Sequence, residues 1–205
     1  MICLAAHKPP TLSRNRHEIN WVIFLGPVKN PESNAGSSLY RIGECRDCDA
    51  LNAALLARIK LLSQDEIVRR HHYLGGRYEN IYLKLESVPE LRVILDLATA
   101  QAAHLLSRPK QHLRLGWWLN IMQPGDITYP HTHDEGDELL SGVYYIEAPP
   151  RSGRLLLMQD AQRAEIEPQA GRFVYFAPDV IHEVTRNESG HPRISIGFNL
   201  GPAQA

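Results

Sequence analysis

Three histidines and one arginine in the carboxy-terminal half have the types and order expected of a metal site with an anion-binding group beside it. His131 and His133 are separated by one residue, and His182 follows after several strand-like runs. If the first two lie on a β-strand, their side chains point to the same face and can approach one ion. Neutral imidazole is a common ligand of late first-row metals. Spacing alone is weak evidence, because the chain contains 10 histidines.

The last strand-like run, residues 193–200, alternates polar and apolar side chains, and Arg193 and Ser195 belong to its polar face. If helices cover the apolar face, the polar face lines a cavity. A guanidinium in that cavity needs an anionic partner, because an unpaired buried charge is costly. Its planar fork suits a carboxylate, and the Ser195 hydroxyl adds another donor.

These motifs, with strands between them, resemble the iron(II)- and 2-oxoglutarate-dependent oxygenases, and more closely a bacterial subfamily with a His-x-His motif. The resemblance covers residues 113–201. It rests on Trp118-Leu-Asn-Ile-Met, Gly125-Asp, His131-Thr-His133, Ser141-Gly-Val-Tyr-Tyr, Gly171-Arg-Phe-Val-Tyr-Phe-Ala-Pro, His182-Glu-Val and Arg193-Ile-Ser-Ile-Gly-Phe-Asn. It implies a mainly β fold with supporting helices: a double-stranded β-helix, or jelly-roll, cupin-like barrel, with Fe(II) at its open end.

The metal ligands depart from the family at one position, because the usual motif is His-x-Asp. His131 and His182 match the family's two histidine ligands, and His133 stands where the carboxylate is expected. Three histidines are our preferred ligand set, and the dianionic co-substrate can neutralise the ion. Two aspartates stay open as alternatives. Asp134 would need a bulge to turn toward His131, and Asp137 could fold back from the loop.

The resemblance also implies residues that bind 2-oxoglutarate. Arg193 with Ser195 matches the pair that binds its distal carboxylate, and Tyr145 stands where related enzymes place a tyrosine on that carboxylate. Asn120 is implied as a cavity residue near co-substrate or substrate, although a buried amide satisfied by backbone groups is an alternative interpretation.

The expected function is an iron(II)- and 2-oxoglutarate-dependent dioxygenase that uses O2 to hydroxylate a small molecule, an amino acid or a peptide. Two alternatives stay open: a three-histidine cupin-type metalloenzyme that does not use 2-oxoglutarate, and a non-enzymatic barrel that binds a ligand. The acidic loop after the histidines is expected to be solvated, with attraction of a basic substrate as the less favoured interpretation.

Composition limits the partners and the compartment. The chain has 205 residues and a net charge of -1, which gives no electrostatic argument for nucleic acid or an anionic membrane. No apolar run approaches the roughly 20 residues of a membrane span, and the amino terminus has too short an apolar core for a signal peptide. Three cysteines argue against a disulfide framework and fit a cytoplasmic location. A homodimer is left open.

Cys45 and Cys48 form a C-x-x-C pair, and Cys3 is the only other thiol. A zinc ribbon needs a second pair. A redox-active pair needs to stand at the start of a helix after a strand, and Asp47 opposes thiolate formation there. We therefore expect a structural or incidental role.

The elements that position the site are two predicted helices and a series of short strands. One helix is expected over residues 49–62, capped by Asp47 or Asp49, and another from about residue 88 to 105 with a broad apolar stripe. Residues 1–20 are expected to form an arm and 29–47 a loop. Strands are predicted at residues 21–25, 115–122, 141–147, 154–158, 172–176, 182–185 and 193–200.

The predicted organisation is a single domain over residues 1–205. In it, residues 1–112 supply the arm, one strand and the supporting helices, and residues 113–201 form the β-helix core that carries the metal site.

Overall fold

The computed structural model describes residues 39–134 and 136–203. The predicted arm and the strand at 21–25 lie outside these residues. The described chain forms helices α1 (Asp49–Lys60) and α2 (Leu91–Leu105). Its eleven strands are β1 (Tyr40–Glu44), β2 (Ile67–Leu74), β3 (Arg77–Leu83), β4 (Leu113–Met122), β5 (Thr128–His131), β6 (Leu140–Glu147), β7 (Leu155–Gln159), β8 (Gln162–Ile166), β9 (Arg172–Phe176), β10 (Ile181–Val184) and β11 (Arg193–Pro202).

The strands form two antiparallel sheets. The larger has the order β1-β9-β6-β11-β4-β3-β2, and the smaller has the order β5-β10-β7-β8. Side chains of the two sheets meet in a shared apolar core, with Met122 and Val174 from the larger sheet and Leu157 and Val184 from the smaller. The predicted mainly β, jelly-roll architecture is confirmed.

The two helices cover the outer face of the larger sheet. Leu55 of α1 and Ile94 of α2 are fully buried in one cluster with Ile196 and Phe198 of β11. Burying each of these side chains contributes about 1.5–3 kcal/mol. The apolar side chains of β11 therefore face the helices, and its polar side chains are left to face the space between the sheets.

Three local predictions were wrong. Residues 40–44, expected in a loop, form β1, which pairs with β9 along five residues. Residues 67–83, for which no strand was predicted, form the β2–β3 hairpin. The N-cap of α1 is Cys48, and no side chain caps it, so neither Asp47 nor Asp49 has the expected role. Within the described residues, no helix has the length and apolarity required to span a membrane. The division of the chain at residue 113 stays a prediction.

Candidate functional site

The three predicted histidines converge at one end of the space between the sheets. His131 of β5 and His182 of β10 are direct partners across the two strands. His133 lies two residues beyond the end of β5, where its backbone N–H donates to the Pro178 carbonyl at 2.8 Å. One ligand atom from each ring lies within 4.8 Å of the other two. The premise that His131 and His133 share one strand was wrong, because the strand ends at His131.

Two backbone carbonyls fix the orientation of the rings. Nδ1 of His131 lies 2.8 Å from the Tyr129 carbonyl, and Nδ1 of His182 lies 3.1 Å from the Val180 carbonyl. A carbonyl oxygen can only accept, so each Nδ1 carries the proton and each Nε2 keeps its lone pair. Metal-binding histidines commonly have this second hydrogen bond.

Burial keeps two of the rings unprotonated at neutral pH. It lowers the pKa of His182 to about 3 and that of His133 to about 4, and repulsion from the neighbouring His131 ring adds to both shifts. The unprotonated ring is the form that binds a metal. His133 and His182 are therefore ready to bind a cation without first losing a proton.

Neither aspartate alternative approaches the cluster. Asp134 accepts a hydrogen bond from the hydroxyl of Thr132 at 2.6 Å, and Asp137 pairs with Arg114. Both interactions are at the surface, and within the described residues neither carboxylate belongs to the histidine group.

Arg193 is buried beside the cluster without a carboxylate. The residue is only 3 % exposed, and one Nη of its guanidinium donates a hydrogen bond to the Gly153 carbonyl at 3.3 Å. Its guanidinium carbon lies 5.0 Å from the centre of the Tyr145 ring. Among the described residues, its Nε has no hydrogen-bond partner, and no carboxylate lies within the 4.0 Å of an ion pair. This charge therefore lacks a protein counterion.

Ser195 is the centre of a row across three neighbouring strands. Its Cα partners are Asn120 on β4 and Tyr145 on β6, so the three side chains share the face that looks between the sheets. The Tyr145 hydroxyl is buried without a partner in the described structure, and burial raises the pKa of this tyrosine. Arg193, Ser195 and Tyr145 thus present donors to one small region.

A second arginine, Arg77, has a different environment that the sequence did not indicate. It lies 3.2 Å from Glu79 and 3.3 Å from Asp126, and it donates to the hydroxyl of Thr128 at 3.0 Å. Its other Nη lies 3.4 Å from the side-chain oxygen of Asn120. The alternative interpretation of Asn120 was a buried amide satisfied by backbone groups; here a side chain, that of Arg77, is the partner of its oxygen. Two carboxylates therefore neutralise Arg77, and none neutralises Arg193.

Most of these groups border one pocket, with a volume of about 560 Å³ including its open mouth. The histidine cluster, Asn120, Arg193 and Ser195 line it, together with Glu79 and Trp118. Tyr145 is not part of this lining, and its ring lies beside the guanidinium of Arg193, which is. The pocket thus has a cation-binding group and an uncompensated cation in one space, which suits an anion that also chelates a metal.

Comparison with known proteins gives this site its class. Residues 117–201 match the model of the 2OG-Fe(II) oxygenase superfamily. This segment contains every predicted ligand and co-substrate residue, and it is the part of the chain that is similar to that superfamily. The resemblance seen in the sequence is confirmed. No curated protein matches the chain in sequence.

Solved structures show the same fold at low identity. The carbocyclase SnoK of nogalamycin biosynthesis has a TM-score of 0.64 and 16% identity over 80% of this chain and 79% of its own. A Pseudomonas putida prolyl-4-hydroxylase has a TM-score of 0.56 and 17% identity over 82% and 90%. The epimerase SnoN, solved with Fe3+ and alpha ketoglutarate, has a TM-score of 0.61 and 16% identity over 80% and 78%. These likenesses establish the fold.

The residues present fit the two groups that the superfamily uses. Three imidazole nitrogens form an open donor set for iron, because they leave coordination positions for other ligands. The unpartnered Nε of Arg193 and hydroxyl of Tyr145 are buried polar atoms that a carboxylate would satisfy. Fe(II) and 2-oxoglutarate are therefore compatible with the donors on both sides of the pocket.

Proposed function

We propose that this protein is an iron(II)- and 2-oxoglutarate-dependent dioxygenase in which His131, His133 and His182 hold the metal. The observation that carries the proposal is the placement of this cluster in the same pocket as the uncompensated charge of Arg193. The match of residues 117–201 to the superfamily model supports the reaction class, with O2 as the second co-substrate.

In this mechanism His131, His133 and His182 would hold the iron, with Nε2 of His131 and His182 free to bind it because their Nδ1 atoms are engaged with backbone carbonyls. Bound iron(II) supplies O2 activation, coupled to the oxidative decarboxylation of 2-oxoglutarate to succinate and carbon dioxide. The ring of Trp118 lies with its centre 5.4 Å from that of His133 and contributes an apolar wall to the pocket beside the cluster. The chain thus orients the metal and limits access to it.

The other end of the co-substrate is assigned to Arg193, Ser195 and Tyr145. The guanidinium donates to the distal carboxylate with its free Nε, and the two hydroxyls add donors from neighbouring strands. Charge-assisted hydrogen bonds of this kind are stronger than neutral ones. Asn120 is assigned to the same region, where its oxygen is fixed by Arg77 and its amide nitrogen is available to a ligand.

The proposed substrate is a small molecule, an amino acid or a peptide that enters at the mouth of the pocket and is hydroxylated. The surface contacts of Asp134 and Asp137 support the solvated interpretation of the acidic loop over a site for a basic substrate. A cytoplasmic location, the absence of nucleic-acid and membrane partners, and a homodimer remain proposals.

The test is an anaerobic titration with Fe(II) and 2-oxoglutarate, followed by succinate measurement in air. Chelation should give a weak visible charge-transfer band, and uncoupled turnover should give succinate. His133→Ala should lose stoichiometric iron, whereas His104→Ala, at an exposed position on α2, should keep it. Full iron occupancy in His133→Ala would overturn the ligand assignment.

The remaining outcomes separate the alternatives. Iron binding without a response to 2-oxoglutarate would favour a three-histidine enzyme of the cupin type. No band and no succinate would remove the proposed function. Substrates are then sought by succinate release and by the mass of one added oxygen atom across candidate amino acids, peptides and metabolites.

A further inference from the structure

The cysteine pair lies where a strand ends and a helix begins. β1 ends at Glu44, and Cys48 is the N-cap residue of α1. The Cα atoms of Cys45 and Cys48 are 5.8 Å apart, and the structure joins the sulfur atoms as a disulfide. This distance lies within the usual range of about 4.4–6.8 Å for disulfides. The position is the one that a redox-active pair requires, whereas the sequence led us to expect a structural or incidental role, which stays untested.

The two sulfur atoms differ in access to solvent. Cys48 is only 6 % exposed, whereas Cys45 is partly exposed. Thiol–disulfide exchange proceeds through a mixed disulfide on the sulfur that the external thiol can reach. The geometry thus designates Cys45 as the exchanging residue and Cys48 as the one that closes the bond again.

The electrostatic surroundings act in both directions. Cys48 stands at the amino terminus of α1, where free backbone N–H groups and the helix dipole favour a thiolate. Asp49 in the first turn and the neighbouring Asp47 oppose that charge. The helix terminus and the two carboxylates thus act in opposite directions on a Cys48 thiolate.

Hydrogen bonds connect the pair to β6, the strand of Tyr145. The Cys45 N–H donates to the Gly171 carbonyl at 2.8 Å, and the Gly171 N–H donates to the Tyr145 carbonyl at 2.9 Å. On the helix side, the Asn52 N–H donates to the Cys48 carbonyl at 2.7 Å. The Asn52 side-chain oxygen then accepts from the hydroxyl of Tyr144 on β6 at 2.8 Å.

We propose that Cys45 and Cys48 form a reversible disulfide, which exchanges with low-molecular-weight thiols and whose state changes how firmly the β1–α1 connection holds β6. In reduction, an external thiolate attacks Cys45 Sγ, the S–S bond breaks, and Cys48 leaves and takes up a proton. A second external thiol then releases protonated Cys45 and forms the reagent's own disulfide. Two electrons and two protons thus pass to the protein, and oxidation by a small disulfide is the reverse.

The test uses the full-length protein equilibrated with glutathione at stepped ratios of reduced to oxidised reagent. After acid quenching and alkylation, mass spectrometry of the peptide that carries both cysteines should show it shift from no added alkyl groups to two within that series. A peptide that stays in one state at every ratio would overturn reversible exchange, and this measurement needs no variant.

Two matched variants test the assignment of the exchanging sulfur. Cys48→Ser should accumulate a glutathione adduct on Cys45, and Cys45→Ser should accumulate several-fold less on the buried Cys48. Equal adducts would contradict the proposed order of attack.

Transmission to β6 has its own measurement. Amide hydrogen exchange at Cys45 and Asn52 should be faster in the reduced wild-type protein than in the oxidised one, and equal rates would overturn the link to β6. None of these results depends on iron or 2-oxoglutarate, so they stand or fall separately from the proposed enzymatic function.

Discussion

Replacing Arg193 with methionine should weaken 2-oxoglutarate binding and stabilise the protein in the absence of co-substrate. The two effects have opposite signs because the guanidinium is buried at 3 % exposure without a carboxylate, so its charge costs folding energy that only an anionic ligand offsets. Methionine has a similar length and is apolar, and it can fill the same space with little change in packing.

The magnitudes follow from the contacts. Replacing buried charge by a well-packed apolar side chain stabilises proteins by about 1–4 kcal/mol. Loss of the hydrogen bond to Gly153 removes about 1 kcal/mol of this, which leaves a gain of up to about 3 kcal/mol in the free energy of unfolding. Two charge-assisted hydrogen bonds to the ligand are together worth about 3–6 kcal/mol. The dissociation constant for 2-oxoglutarate should therefore rise by roughly two to four orders of magnitude.

Urea unfolding of the metal-free protein gives the stability, and anaerobic titration of the iron-loaded protein gives the dissociation constant. Arg154→Met is the matched control, because Arg154 is exposed and pairs with Glu165 and Glu167 away from the pocket. It should leave 2-oxoglutarate binding unchanged. If Arg193→Met unfolds more easily by about 2 kcal/mol or more and binds 2-oxoglutarate normally, the arginine is structural and the reasoning fails.

Three further predictions use neighbouring groups. Tyr145→Phe should weaken 2-oxoglutarate binding about tenfold without loss of stability, whereas Tyr144→Phe, which loses a bonded hydroxyl, should lower the free energy of unfolding by about 1 kcal/mol and leave binding intact. Gly197→Ala places a Cβ 2.5 Å from the Trp118 ring, so it should cost about 1–3 kcal/mol in urea unfolding and alter tryptophan fluorescence. Burial lowers the pKa of His182 from 6.5 to about 3, so in that pH window the unfolded chain binds a proton that the folded chain does not. The unfolding free energy of the metal-free protein should then fall on acidification below about pH 6.5, by up to about 1.4 kcal/mol per pH unit from this ring, and equal stability at pH 7 and 5 would refute it.

The strands that were predicted well are those whose own apolar side chains are buried in the core. The prediction for residues 172–176 matches β9, and β4, β6 and β11 were found to within two residues at each end. These strands are rich in apolar and aromatic residues and lie at the centre of the larger sheet. The stripe of α2 was correct for the same reason, since Ile94 and Ala98 are fully buried.

The missed strands are ordered by pairing more than by burial. β2 is an edge strand whose side chains are mostly exposed and include Arg69, Arg70 and His71, so no apolar alternation marks it. Its order comes from hydrogen bonds to β3 across the turn at Gly75 and Gly76, which both have positive φ. Pairing of mostly exposed side chains leaves little trace in the hydrophobic pattern of the sequence.

In the site, too, some residues could be predicted from the sequence and others could not. The histidines and Arg193 could be found because their types and order are distinctive, but their partners could not. Arg77 and Asp126 are far apart in the chain, and only the juxtaposition of β3 with the turn after β4 makes them an ion pair. His133 was placed on the wrong element, and it reaches the cluster because Pro178 holds its backbone.

The charges around Arg77 give a physical reason for the proposed third histidine ligand, His133, at a position where the superfamily usually has a carboxylate. The cluster at Arg77 contains one guanidinium and two carboxylates, so it carries one excess negative charge, and Glu79 both lines the pocket and interacts electrostatically with His131. Arg193 contributes one positive charge on the other side. With a divalent ion on neutral histidines and a dianionic co-substrate, the pocket is then neutral as a whole. In the proposed three-histidine site, a carboxylate in the pocket wall would thus replace the charge of the usual carboxylate ligand without occupying a coordination position.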